Sequence, residues 1–207
     1  MAENSPVIVT NLDDEIAVIR FNKPAQRNPL SINTLHDLEK VLSRLTVRDN
    51  ITALIFTGTA DVFASGANIR ELSRLDPASA LQFSHLGQRV FQTIADAKQL
   101  TIAAINGYCM GGALDLAMAC DIRVASTNAV FAHPGARLGI ITGWGGTQRL
   151  PRIIGRTRSL DLFATARKIS SAEALSIGLV TDVKDPVLDF AITTSRQVRH
   201  SVPTVPD

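Results

Sequence analysis

The sequence predicts a single-domain α/β protein, and three features of the chain support this assignment. Short runs of apolar and β-branched residues alternate with longer segments whose apolar residues recur at helical spacing. The 207 residues are enough for one domain with a substantial core. At the centre of the chain, residues 101–122 lead from a buried strand through the glycine pair Gly111-Gly112 into an apolar helix.

The first half of the chain begins with two β-rich runs, residues 7–10 and 16–21, which a polar turn joins into a hairpin. Ser31 can cap the helix that follows it, and residues 51–57 form a buried strand closed by Gly58. Residues 78–97 form a long amphipathic helix. The residues expected on the buried faces of the two helices are Ile32, Leu35, Leu38, Leu42 and Leu45, then Leu81, Leu86, Val90, Phe91 and Ile94.

The second half continues the same alternation after the central strand, residues 101–105, and its helix. Two short strands follow at residues 123–126 and 129–132, and then two helices at residues 147–154 and 156–166. Ser170 and Glu173 predict a capping box for a last helix that ends at Gly178. The proline-rich tail, residues 201–207, is not expected to form a helix.

Composition narrows the class of partner. The net charge is +2 without a basic run, which argues against nucleic acid. No apolar stretch is long enough to span a bilayer, and the N-terminus does not resemble a signal peptide. We therefore expect a cytoplasmic protein, or one in an organelle lumen reached by a peptide already removed. Cys109 and Cys120 are expected to be reduced packing residues, with neither a disulfide nor a metal between them.

The glycine pair in the centre of the chain admits two interpretations. A helix that begins directly after glycines presents free backbone N–H groups and the positive end of its dipole. Such a site can hold a carbonyl oxygen that becomes negative during a reaction. Alternatively, the glycines serve only the tight packing of helix against strand.

Residues 106–126 resemble the signature of the enoyl-CoA hydratase/isomerase (crotonase) superfamily. Further blocks resemble the family in the family's order, and together they cover roughly residues 7–183, which is far more specific than one motif. They are Phe-Asn-Lys-Pro at 21–24, Arg-Asn-Pro-Leu at 27–30, Phe-Ala-Ser-Gly-Ala-Asn-Ile at 63–69, Gly-Trp-Gly-Gly-Thr-Gln-Arg-Leu-Pro-Arg at 143–152 and Ile-Ser-Ser-Ala-Glu-Ala-Leu at 169–175.

The resemblance implies a right-handed spiral of ββα units, assembled as a trimer or a dimer of trimers. It places the crotonase-like core at residues 1–183. Residues 184–207 would be a truncated C-terminal segment, because members of the family usually continue with several more helices. The acyl pocket would then be more open, or completed by a neighbouring subunit.

The resemblance also implies an acyl-CoA thioester as substrate, with no cofactor apart from the CoA that the substrate carries. The backbone N–H groups of Ala67 and Gly112 would stabilise the enolate oxygen. The nucleotide end of CoA would meet Gln26 and Arg27, and residues 64–70 would bind adenine and pantetheine. The other residues expected at the substrate are Ala64, Gly66, Asn68, Ile69, Arg70, Tyr108, His133, Gly135, Gly143 and Trp144.

The acid/base residues depart from the family pattern. Hydratases of the family use two glutamates; the first corresponds to Asp115, and the second corresponds to Gly135, which has no side chain. Hydration needs a group on each side of the double bond, so Asp115 alone suits isomerisation or a single proton transfer. His133 is a candidate for the missing group because imidazole titrates near neutral pH. In relatives this residue is commonly Gln and points away from substrate.

Three functions remain open from the sequence. The first is an enzyme of the hydratase/isomerase type that stabilises a thioester enolate, with Asp115 moving a proton. The second is a pseudo-enzyme that binds acyl-CoA without turning it over. The third is a lyase similar to dihydroxynaphthoyl-CoA synthase, which also has glycine at the second glutamate position, although Trp144 is one place out of register with that branch.

Overall fold

The computed structural model describes residues 5–201, and side chains from 5 to 197. Twelve strands and eight α-helices alternate along this part of the chain, with short 3-10 helices at Pro24–Gln26 and Pro134–Leu138. The strands are β1 Val7–Leu12, β2 Ile16–Phe21, β3 Pro29–Leu30, β4 Ala53–Thr57, β5 Val62–Ala64, β6 Gly66–Ala67, β7 Leu100–Ile105, β8 Tyr108–Met110, β9 Ile122–Ala125, β10 Val130–Ala132, β11 Ile169–Ser170 and β12 Asp182–Val183. The helices are α1 Ile32–Leu45, α2 Ile69–Leu72, α3 Pro77–Ala95, α4 Gly112–Ala119, α5 Gly146–Ile154, α6 Arg156–Thr165, α7 Ser171–Ser176 and α8 Val187–Ser201.

From β4 to β10 successive strands alternate between two sheets, apart from β6, which pairs with β3 in a separate two-stranded sheet; this arrangement confirms the predicted spiral. The larger sheet has the order β1-β2-β4-β7-β9-β12 and is parallel apart from the β1–β2 hairpin. The smaller sheet has the order β11-β10-β8-β5. In each of three strand pairs the first strand joins the larger sheet and the second joins the smaller sheet before the chain enters a helix; the pairs are β4 and β5, β7 and β8, and β9 and β10. Each turn of the spiral is therefore a ββα unit.

The main core lies between the large sheet and helices α1, α3 and α4. Phe56, Phe91 and Leu116 are completely buried there. A second apolar cluster covers the opposite face of the large sheet, where Ile55 and Ile102 pack against Val187 and Ala191 of α8. The large sheet is thus buried on both faces, which explains why its central strands are continuously apolar.

Each strand or helix whose bounds were predicted is present, and its ends lie within two residues of the predicted ones. Most differences between prediction and structure concern which side chains are buried and elements only a few residues long. Leu81 was expected to be buried but is 58% exposed, because the buried face of α3 runs through Phe83 instead. Ser170 caps α7 as predicted, whereas the Glu173 carboxylate lies 2.7 Å from Arg167 rather than closing a capping box.

Helix α8 is absent from the sequence prediction, which has no helix after residue 178. Its apolar residues become recognisable as a packing face only beside the outer face of the large sheet. The rest of the predicted tail, residues 202–207, lies outside the described residues.

Ser31 caps α1 as predicted, since its hydroxyl accepts a hydrogen bond from the N–H of Thr34 at 3.1 Å. We expect Ser31→Ala to lower the free energy of unfolding by about 1 kcal/mol, the usual cost of losing an N-cap. Urea denaturation measures the loss. Ser43→Ala on the exposed side of the same helix is the control, and equal losses for the two variants would contradict the capping role.

Candidate active site

A cleft of about 250 Å³ opens where α2 and α3 face the start of α4 and the loop between β10 and α5. Concave, mainly apolar sites of this kind commonly bind small ligands. Seven of the predicted site residues line it: Ala67, Ile69, Gly112, His133, Gly135, Gly143 and Trp144. The sequence analysis did not identify the apolar wall that faces them, which comes chiefly from Leu72, Leu75, Phe83, Leu138, Ile140 and Ile141.

Two backbone segments meet beside the cleft, and each carries one predicted oxyanion donor. Gly112 is the first residue of α4, so its N–H has no acceptor within the helix. Ala67 ends β6, and a Cβ on the preceding Gly66 would come within 3.0 Å of the nitrogen of Gly112. Only glycine allows this approach, and the φ of +84° at Gly66 also favours it. The two segments therefore lie side by side, and their action on an oxyanion stays a prediction.

The indole of Trp144 is a wedge between α3 and α4. A Cβ on Gly87 would lie 2.3 Å from the ring, and a Cβ on Gly112 would lie 2.4 Å from it. The indole N–H donates to the carbonyl oxygen of Phe83 at 3.2 Å, and the ring packs against Phe83 and Phe91 with centroids 5.0 and 5.5 Å away. Trp144 thus forms part of the cleft wall and holds the start of α4 in place.

Asp115 is completely buried on α4, and polar groups surround its carboxylate. The hydroxyl of Thr142 donates to Oδ2. Oδ1 lies 2.9 Å from Nε2 of His133, and it sits close to Gly146, the first residue of α5. The positive end of the α5 dipole favours negative charge at this position. Asp115 itself does not belong to the lining of the cleft.

His133 connects this buried carboxylate with the cleft. It is 4% exposed, lines the cleft, and packs against the ring of Phe163 with centroids 4.9 Å apart. The 2.9 Å separation from Asp115 has the length of a hydrogen bond, but the two atoms do not have hydrogen-bond geometry, so this is a close polar contact. Within the described residues, neither Nε2 of His133 nor Oδ1 of Asp115 has a hydrogen-bonding partner.

Gly135 lies in the 3-10 helix after β10, and the backbone passes close to it. Its carbonyl oxygen accepts a hydrogen bond from the N–H of Ile140 at 3.1 Å. A Cβ at Gly135 would lie only 2.6 Å from the carbonyl oxygen of Ile140. The position therefore lacks a side chain and also has no room for one unless the loop moves.

The residues expected to bind the nucleotide end of CoA lie outside the cleft lining. Gln26 and Arg27 are exposed on a loop that the buried amide of Asn28 fastens to Val62, with a hydrogen bond of 3.0 Å. The guanidinium of Arg27 lies 4.8 Å from the ring centre of Tyr108. Tyr108 was expected at the substrate, but it lies outside the lining of the cleft and belongs to this separate cluster.

The Arg27–Tyr108 cluster contains two further charges that the sequence analysis did not identify. Nζ of the exposed Lys168 lies 5.7 Å from the ring centre of Tyr108. Asp61 lies 3.7 Å from Arg27 and offsets part of its charge. The cluster is therefore a weakly cationic surface around an aromatic ring.

Residues 64–70 divide into buried and exposed members. Ala64 is fully buried in β5 and lies outside the lining of the cleft. Asn68 caps α2 by accepting the N–H of Arg70 at 3.0 Å, which is a structural role for its side chain. Arg70 is exposed, and Ile69, 58% exposed, lies at the cleft. Contacts of this segment with CoA stay a prediction.

Both cysteines are buried free thiols, as expected of packing residues. Burial raises the pKa of the Cys109 thiol, and the nearby negative charge of Asp115 raises it further. Burial likewise raises the pKa of Cys120. Within residues 5–201, three or more His, Cys, Asp or Glu side chains nowhere form a group that could hold a metal, and no helix is both long and apolar enough to cross a membrane.

Comparison with known proteins places these features in a family. Residues 11–205 match the family described as enoyl-CoA hydratase/isomerase. The chain is 37% identical over 196 residues to a short-chain-enoyl-CoA hydratase of Clostridium acetobutylicum, covering 94% of this chain and 74% of the relative. It is 39% identical over 180 residues to a crotonyl-CoA hydratase of Syntrophomonas wolfei, covering 86% and 69%.

The solved structures give the same result for the fold. An enoyl-CoA hydratase from Bacillus anthracis superimposes with a TM-score of 0.90 at 31% identity, covering 94% of this chain and 76% of that one.

Proposed function

The chain belongs to the enoyl-CoA hydratase/isomerase family, and from this premise we propose that it binds an acyl-CoA thioester in the cleft and stabilises its enolate. One observation carries the proposal. The start of α4 at Gly112 and the end of β6 at Ala67 lie side by side at an apolar cleft. Two fixed N–H donors at such a place stabilise a thioester oxygen as it becomes negative, and one donor typically contributes about 3 kcal/mol.

The reaction we propose is transfer of a proton next to the thioester, as in isomerisation, rather than efficient hydration. Hydration needs an acid or base on each side of the double bond. Gly135 supplies neither, and the carbonyl of Ile140 closes the space beside it. The chemistry therefore depends on the groups around Asp115.

The proposed substrate is a short-chain acyl-CoA. The names of two relatives refer to short-chain enoyl-CoA and crotonyl-CoA, and the cleft volume of about 250 Å³ suits a small acyl group. The nucleotide end would lie towards Arg27 and Lys168, where a phosphate meets positive charge. No further cofactor is needed, since CoA is part of the substrate. A cytoplasmic trimer or dimer of trimers completes the proposal, on the basis of family membership.

A second candidate function is acyl-CoA binding without turnover. Two observations favour it: Gly135 lacks a side chain, and Asp115 is shielded from the cleft. The two functions share the binding step and differ in whether the protein moves a proton of the bound acyl group.

Calorimetry with acetyl-, crotonyl- and longer acyl-CoA tests the shared binding step. We expect acyl-CoA to bind at submillimolar concentration, and free CoA to bind more weakly because the acyl group fills the apolar cleft. A dissociation constant of 1 mM corresponds to only about 4 kcal/mol, which a filled cleft of this size should exceed. If no acyl-CoA binds at millimolar concentration, the proposed function is wrong. Exchange of the α-proton in deuterated water then separates the enzyme from the binder.

A further inference from the structure

We propose that His133 is the residue that exchanges a proton with the substrate, and that Asp115 and Thr142 position its imidazole from behind. The inference rests on the proposed function in one respect, since it takes an acyl-CoA thioester to occupy the cleft. It reassigns the proton transfer that the sequence analysis gave to Asp115.

The surroundings of Asp115 argue against direct contact with substrate. Its carboxylate is completely buried, with Thr142 at Oδ2 and with His133 and Gly146 at Oδ1. A substrate carbon could reach either oxygen only after one of these residues had moved away. His133, which directly follows β10, already lines the cleft.

The backbone fixes His133 close to the oxyanion segment. The N–H of Gly111 donates to the carbonyl oxygen of Ala132 at 2.9 Å, and Ala132 pairs with Met110 in the small sheet. His133 directly follows Ala132 and Gly112 directly follows Gly111, so both residues lie next to this hydrogen bond. A thioester whose oxygen is held at Gly112 would place its α-carbon in the same part of the cleft as the imidazole.

The contact with Asp115 determines which ring nitrogen is available. Two unshared electron pairs would repel at 2.9 Å, so one of the two atoms, Nε2 or Oδ1, carries a proton although their hydrogen-bond geometry is poor. The proposal assigns this proton to Nε2, because Asp115 then acts only as an acceptor, as it already does towards the Thr142 hydroxyl at Oδ2. Nδ1 then carries the lone pair, as a general base requires.

The proposed step conserves every proton and electron pair. Nδ1 of His133 removes the α-proton, and the electrons of the C–H bond form a C=C bond while the C=O electrons move to the oxygen. The N–H groups of Ala67 and Gly112 stabilise that oxygen, and Asp115 stabilises the imidazolium. The imidazolium N–H exchanges with deuterated water and delivers a deuteron to the α-carbon, which is observed as exchange. Alternatively it delivers its proton to the γ-carbon of an unsaturated chain, which isomerises it.

The decisive experiment follows α-proton exchange of bound butyryl-CoA in deuterated water. We expect His133→Ala to slow exchange by about 100- to 10,000-fold, the usual contribution of a general base, with little change in butyryl-CoA affinity. Added imidazole should restore exchange in proportion to its concentration, because the small base can enter the space beside Asp115. A histidine with only a packing role would give no such rescue.

Two variants guard against a folding defect. His133→Gln retains an N–H that can reach Asp115 but has no base, so we expect the same loss of exchange in a stable protein. His36→Gln removes an exposed histidine on α1 outside the cleft lining, and should exchange at the wild-type rate. Exchange at the wild-type rate in His133→Gln would overturn the proposal.

Nitrogen-15 NMR of labelled histidine tests the positioning role without turnover. We expect His133 to carry its proton on Nε2 in the wild type, and to become a mixture of tautomers in Asp115→Asn, whose exchange should also fall. An Nδ1-protonated ring in the wild type would overturn the positioning role of Asp115.

A wild-type protein that binds no acyl-CoA would contradict the proposed function. A protein that binds acyl-CoA and exchanges equally well without His133 would contradict only this inference. Binding without wild-type exchange would overturn the catalytic role of His133 and favour the binder.

Discussion

Crotonyl-CoA should be hydrated by this protein about 100- to 10,000-fold more slowly than by an enzyme with an acid/base side chain on each side of the double bond. The reason is Gly135, which provides no group on one side. At 1.36 kcal/mol per tenfold, the loss corresponds to roughly 3 to 5 kcal/mol of barrier. Steady-state loss of enoyl-CoA absorbance measures the rate, with the crotonyl-CoA hydratase of Syntrophomonas wolfei as the comparison enzyme.

Restoring a carboxylate at this position should not restore hydration. In Gly135→Glu the new Cβ would lie 2.6 Å from the carbonyl oxygen of Ile140, so the loop must move before the carboxylate can reach the cleft. Ala136→Glu places the same charge on the exposed neighbouring residue and controls for the charge itself.

For the wild-type protein, a kcat/KM for hydration near the diffusional ceiling of about 10⁸ M⁻¹s⁻¹ would contradict the predicted slow rate. It would show that another group fills the role of the missing glutamate.

Trp144→Ala should lower the free energy of unfolding by about 3 to 5 kcal/mol, the range for large aromatic truncations in a core. The indole fills the space between Gly87 and Gly112, and neither glycine has a side chain that could collapse into the cavity. The truncation also leaves the carbonyl oxygen of Phe83 without its indole donor. We expect acyl-CoA affinity to fall as well, because Trp144 lines the cleft and supports the start of α4.

Urea unfolding followed by circular dichroism measures this loss, since Trp144 is the single tryptophan and tryptophan fluorescence disappears with it. Leu81→Ala on the exposed face of α3 should change stability by no more than about 0.5 kcal/mol. Trp144→Phe should lie between the two, because it keeps an aromatic ring but leaves a smaller cavity. If the free energy of unfolding fell by less than about 1 kcal/mol in Trp144→Ala, the indole would not have the predicted role of filling the space between α3 and α4.

Local signals explain why so much of the fold could be predicted. The Ser31 cap, the helical spacing of leucines in α1 and the continuous apolar runs of β4 and β7 each lie within a few neighbouring residues. The elements that were missed depend on distant partners. Strands β3 and β6 are two residues long and exist only because they pair with each other, and α8 acquires its buried face from the large sheet.

The candidate site divides in the same way. The sequence by itself determined the strand–glycine–helix junction at Gly112, the carboxylate at Asp115 and the missing side chain at Gly135, because each is a matter of residue type or local order. The tertiary structure alone decided that Asp115 is shielded from the cleft and that Thr142 and His133 hold its two oxygens. These residues come from a helix, a strand end and a loop, and only the packing of the spiral brings them together. Distances between such segments depend on long-range packing, which no pattern of neighbouring residues records.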